Sequence, residues 1–267
     1  MGRIIGDTFS ILFRKLPLIL LLGFVPAIVE GALGYAFSGM TSSQIGVGVR
    51  INLGGTNILD LASIVIASIV AAAIVQLAYD AKLNRPAQPG RYIAAVIKNL
   101  PAIVVLSIVV TVLCALAAIL LAIPGLWLFS MLVPAIVSLL GLIPLILPAI
   151  WLYAVFSVFV PAIVIERAGF RALGRSAELT KNYRWPIVGA LILVGLCLLL
   201  FAIVVSTVIL LAFGMGTGRA PYLLVILSAF SSALGYGILS ITVALIFARL
   251  KEIKEGISVA DLVEVFK

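Results

Sequence analysis

Few residues in this chain have side chains able to do chemistry, and most of those lie in apolar surroundings. Glu30 falls inside an apolar run that opens near Pro17. It lies about three or four residues beyond the middle of that run, which at a helical rise of about 1.5 Å per residue is on the order of 5 Å past a bilayer midplane. A carboxylate at that depth is costly and is a functional candidate by default. It would line a polar pocket that opens outward and holds a head group, a proton or a cation, with Arg50 reaching down to it. The plainer reading is a single ion pair, or a neutral Glu bonded to a neighbouring helix. Asp60 follows Asn57 by three positions, the spacing of a helix cap and a first-turn acid favoured by the helix dipole. Glu30 and Asp60 together would suit a divalent cation, although nothing in their spacing demands it. The other concentration of charge is basic: Arg167, Arg171, Arg175, Lys181 and Arg184 sit between two apolar runs. Beside a membrane they would attract anionic lipid head groups, at about 1 kcal/mol each, or a protein partner. The plainer reading is that they only fix topology.

Other chemistry is excluded by what is missing. The chain contains no histidine, which removes Ser-His-Asp and Cys-His catalysis, His-held haem and His-liganded metal sites. Its two cysteines, Cys114 and Cys197, lie in long apolar runs without metal or redox spacing and read as small packing residues. No catalytic set, cofactor site or metal site emerges, and the expectation is a non-enzymatic chain.

The elements that position these residues must be membrane helices. Of 267 residues, 64% are apolar and 10% charged, with a mean hydropathy of +1.34, against about 45–50% and about 25% in soluble domains. A span needs about 20 mainly apolar residues. Runs of that size predict an all-α transmembrane bundle with spans near 17–38, 57–79, 100–123, 146–165, 186–212 and 221–248. Between the third and fourth, 124–145 is apolar but carries Pro124, Gly125, Pro134, Gly141 and Pro144; a re-entrant or interfacial segment there keeps the crossing parity at six spans. Of the 18 basic residues, all but Arg50 and Arg219 fall on one side of this layout. That side is then cytoplasmic, with both termini on it, in a bacterial inner membrane.

Finer patterns concern packing. Pro124-Gly125-Leu126-Trp127-Leu128 recurs as Pro148-Ala149-Ile150-Trp151-Leu152, and Val133-Pro134-Ala135-Ile136-Val137 as Val160-Pro161-Ala162-Ile163-Val164, a local duplication. Ser63, Ala67 and Ala71 give the second span a narrow face for close helix approach, as do the pairs Gly189 and Gly195, and Gly235 and Gly237. Trp127, Trp151 and Trp185 suit interfacial belts. The segment 166–185 reads as an amphipathic helix with Phe170, Leu173 and Ala177 inward and Arg171, Arg175 and Glu178 outward. The stretch 91–100 is a similar interfacial piece. The tail 257–267 opens on Ser258 and Asp261 with apolar residues at helical spacing, as for a helix docked on the membrane or a partner.

The run Phe159-Val160-Pro161-Ala162-Ile163-Val164-Ile165-Glu166-Arg167, then Ala172-Leu173-Gly174-Arg175-Ser176-Ala177-Glu178-Leu179-Thr180-Lys181, then Trp185 opening a span, and Arg249-Leu250-Lys251-Glu252 ending the last one, resembles a prokaryotic multi-span family. That family is named for the membrane domain attached to some glycerophosphoryl diester phosphodiesterases. The resemblance covers most of the second half of the chain, and the first half by layout. It implies a helical membrane domain with both termini inside. It does not imply the phosphodiesterase reaction, which belongs to a separate soluble barrel using histidines and carboxylates. The expected function is that of a scaffold, regulator or assembly partner. Its expected partners are membrane lipids and either another membrane protein or a second copy, with no nucleic acid. The alternative is a transporter or lipid-handling channel with a polar site at Glu30.

Overall fold

The computed structural model describes residues 2–37, 58–130, 143–213 and 221–256, and every regular element among them is helical. The first is a helix that the hydropathy pattern did not announce. α1 (Gly2–Arg14) buries Ile4, Thr8 and Leu12, a four-residue repeat that lines one face. It meets α2 (Leu16–Phe37) at a bend of 83°. Pro17 explains the bend: in a continuous helix its ring would collide with the carbonyl four residues back, at Phe13, and it has no N–H to offer that carbonyl.

α3 (Ile58–Lys82) and α4 (Pro89–Ser130) follow. Pro89 suits the first position of α4, where its N–H would have had no helical partner. From there the helix runs on past Pro101 and Pro124, so 91–100 is the opening of this helix and 124–130 its end. A proline deletes one hydrogen bond and bends a helix, yet ends it only where the flanking residues do not continue it. The rest of the expected broken segment lies largely outside the described residues; its last three positions belong to α5 (Ile143–Phe156).

The chain then breaks at Ser157 and Val158 and resumes as α6 (Phe159–Val164), every residue of which is buried. Here Pro161 falls in a first turn, where it is tolerated, and the cost of its missing N–H is met by interrupting the helix before it. A 3-10 turn at Gly169–Arg171 leads into α7 (Ala172–Thr180). α8 (Arg184–Phe213) and α9 (Pro221–Glu255) complete the described chain.

α9 is the centre of the molecule, packing against α1, α2, α3 and α8, while α3, α4, α5, α8 and α9 close a ring in which each helix packs on the next. The corner between α1 and α2 sits over Gly237 of α9, where an added Cβ would come within 2.6 Å of Ile19 Cγ2. Gly23 packs against Ala233 in the same seam, its absent Cβ 3.2 Å from the alanine's. The expected close approach thus exists at Gly237. Gly189 and Gly195, in contrast, face open space on the exposed side of α8.

Among the described residues, four helices are long and apolar enough to cross a membrane: Ser63–Lys82, Pro89–Ala117, Arg184–Val208 and Ile226–Glu255. The bent pair Ile4–Arg14 with Leu16–Glu30 makes a fifth if taken as one broken span, and Ile150–Val164 is a shorter apolar helix. The chain is built as a helical membrane protein.

Candidate functional site on the basic face

Cross-links between helix ends gather the basic residues onto one face. Lys82 at the end of α3 pairs with Asp7 of α1 at 2.8 Å, and Arg14 donates to Asn84 at 3.4 Å. Arg91, near the start of α4, holds Asp80 of α3 at 2.5 Å, and the buried Tyr92 hydroxyl donates to the same carboxylate at 2.9 Å. Asp80, almost wholly buried, was not singled out from the sequence. The signal was available: it is a carboxylate near the end of an apolar helix, with a cation and a phenol eleven and twelve positions on.

The segment around α7 is organised by the break in the helix before it. Interrupting α5 at Ser157 leaves the Val155 carbonyl without its helical donor, and the hydroxyls of Ser176 (2.8 Å) and Thr180 (3.2 Å) donate to it instead. Those two bonds set the rotation of α7, whose buried face is Ala172, Ser176, Leu179 and Thr180. The amphipathic reading is therefore corrected by about one residue's turn. Phe170, expected inward, is 63% exposed, while Arg175, expected outward, turns in.

Arg175 enters a closed ring of ion pairs. Its guanidinium donates twice to Glu166, at 2.8 and 3.2 Å, and once to Glu255 at the end of α9. Lys251 closes the circuit, 3.1 Å from Glu166 and 3.7 Å from Glu255. All four side chains are largely shielded from solvent. Burial pushes the Glu166 carboxyl up, but the hydrogen bonds from Arg175 and Lys251 and their charges outweigh it, holding the group below its ordinary range. The hydrogen bond to Glu166 raises Arg175 in turn, against the opposing effect of burial.

The remaining cations of the segment have no such partners. Six carboxylates on this face, Asp7, Asp80, Glu166, Glu178, Glu252 and Glu255, are engaged in ion pairs. Among the described residues none pairs with Arg167, Arg171, Lys181 or Arg184. Arg167, Arg171 and Lys181 are exposed, and beside them stand two exposed aromatics, Phe170 and Trp185, the latter at 71%. Arg184 lies over the ring of Trp151, its guanidinium carbon 4.9 Å from the centroid. Interleaved cations and aromatics suit a membrane interface, where apolar rings and charged heads are both satisfied.

The other expected site is divided by what is described. Glu30 accepts a hydrogen bond of 2.6 Å from the Tyr236 hydroxyl of α9. Arg50 lies outside the described residues, and Asp60 is the third residue of α3 with its side chain likewise outside them. Trp127's side chain and the tail 257–267 also fall outside. Among the described residues no three His, Cys, Asp or Glu side chains cluster as for a metal ion. No family model, curated protein or solved structure matches the chain.

Proposed function

We propose that this protein is a non-catalytic scaffold, regulator or assembly partner of the bacterial inner membrane, whose basic face gathers anionic lipid head groups. The observation that carries the reading is the set of uncompensated cations, Arg167, Arg171, Lys181 and Arg184, on a face whose described carboxylates are already engaged. Each such charge near an anionic leaflet contributes about 1 kcal/mol, so four make a surface that discriminates anionic from zwitterionic lipid. In this reading the chain crosses six times, with both termini cytoplasmic, as the family resemblance also implies.

A ligand that binds the folded state raises its thermal midpoint. Purified protein in a mild non-ionic detergent should be stabilised by added phosphatidylglycerol and not by phosphatidylcholine; equal shifts with the two would remove the charge-based reading.

The bond between Glu30 and Tyr236 supports a second reading, a transporter or lipid-handling channel with a polar site between α2 and α9. It requires Glu30→Gln to abolish movement of a solute or proton in vesicles without loss of assembly. A variant that transports as the parent does would discard it.

A further inference from the structure

Within that face, and resting on the reading of it as a lipid surface, we infer that Arg184 and Trp151 form a discrete seat for the phosphate of one anionic phospholipid. The other unpaired cations of the segment are exposed, but Arg184 is held. It stacks on Trp151 of α5, it is partly withdrawn from solvent, and its Nε is buried with no hydrogen-bond acceptor. A stacked guanidinium keeps its planar edge of donors free, and that edge matches two oxygens of a phosphate. A positive charge whose inner donor is sealed off and whose described surroundings hold no paired carboxylate is compensated by an anion from outside the chain.

The seat is rigid for reasons already in the fold. Ser176 and Thr180 fasten the Val155 carbonyl to α7, and Trp151 lies one turn earlier on the same helix, level with the start of α8. The neighbouring groups indicate lipid phosphate instead of free phosphate. Lys181 is exposed three residues before Arg184, as a second contact for a head group. Trp185 heads an exposed apolar stripe of α8 that continues through Ile192, Leu193 and Leu196, a track for an acyl chain leading away from the seat.

Native mass spectrometry of the full chain, released from detergent with dioleoyl phosphatidylglycerol or dioleoyl phosphatidylcholine, tests the seat. The parent should retain one phosphatidylglycerol more tightly than the rest, and Arg184→Gln should weaken that first binding about tenfold, the effect of losing a charged hydrogen-bonding partner. Arg184→Lys, which keeps charge but not the planar edge, should fall between them and serves as the probe if the glutamine variant does not survive extraction. Arg249→Gln, on the same face but paired with Glu252, should bind as the parent does. A parent that prefers phosphatidylglycerol, with Arg184 variants unchanged, would overturn the seat and leave the lipid-binding face standing. A parent with no preference would overturn both. Displacement of the first lipid by inorganic phosphate at millimolar concentration would assign the site to free phosphate and so overturn the lipid assignment.

Discussion

Arg171 and Arg175 are one helical turn apart, yet they have opposite roles. Arg171 is exposed, whereas Arg175 is wired to Glu166 and Glu255 and so belongs to the framework. Sequence spacing placed both outward because hydrophobicity gave no reason to turn a helix so that Ser176 and Thr180 face in. What turned it was an orphaned carbonyl, which no local pattern displays. The ring has a pH signature. Above the ordinary value of 4.5, Glu166 is charged in both folded and unfolded chains and its stabilising contribution is complete. As pH falls through that value the unfolded chain takes up the proton first, so stability declines until the lower, folded-state value is passed. Glu166→Gln should cost about 2 kcal/mol at neutral pH, as for a lost charged hydrogen bond, and should flatten the acid limb of a thermal-midpoint profile. An unchanged acid limb would show that the ring does not govern it. Gly237 gives a second test at this scale. The branched methyl of Ile19 stands where its Cβ would be, so Gly237→Ala should destabilise by about 1–3 kcal/mol through overpacking, read by thermal unfolding in detergent against Gly189→Ala, whose position is open.

The elements show where hydropathy is sufficient and where it stops. Long apolar runs located α3, α4, α8 and α9, because in lipid a backbone must bond within its own segment and length alone then implies a helix. Hydropathy missed α1, whose four-residue repeat of Ile4, Thr8 and Leu12 is too short and too polar to register as a span. It also opened a broken segment at Pro124 and ran a span through Pro161, although Pro101 and Pro124 lie within one helix while Pro161 follows a break. The difference is what surrounds them: where the chain breaks before Pro161, the Val155 carbonyl at the end of α5 has hydroxyl donors waiting on α7. Replacing both donors, Ser176→Ala with Thr180→Ala, should therefore leave Val155 buried and unsatisfied, at a cost of about 1–3 kcal/mol. The double variant should lose more than the same pair of changes at exposed helix positions, and proteolysis in the 166–183 segment should rise. Equal losses would mean that α7 is held by packing alone.

Across the whole molecule, charge is partitioned more sharply than composition alone conveys. Four of the six described carboxylates of the basic face take part in tying helix ends together, α1 to α3, α3 to α4, and the α7 segment to α9, while Glu178 and Glu252 pair within their own helices. Of the positive charge that remains, four cations lie between residues 167 and 184, beside exposed aromatics and at the mouth of the apolar face of α8. The sequence counted five cations in this segment, of which Arg175 is neutralised within the fold by Glu166 and Glu255. At the other candidate site Glu30 is bonded to Tyr236, and its expected partners Arg50 and Asp60 lie outside the described side chains.

Lipid composition around the protein tests the proposed role of this face most directly. Extracted from its membrane into polymer-bounded native nanodiscs without detergent, the parent should carry a higher ratio of anionic to zwitterionic phospholipid than the bulk membrane. A variant with Arg167, Arg171, Lys181 and Arg184 all changed to Gln should carry the bulk ratio. A parent whose lipids match the bulk, or a variant as enriched as the parent, would contradict it.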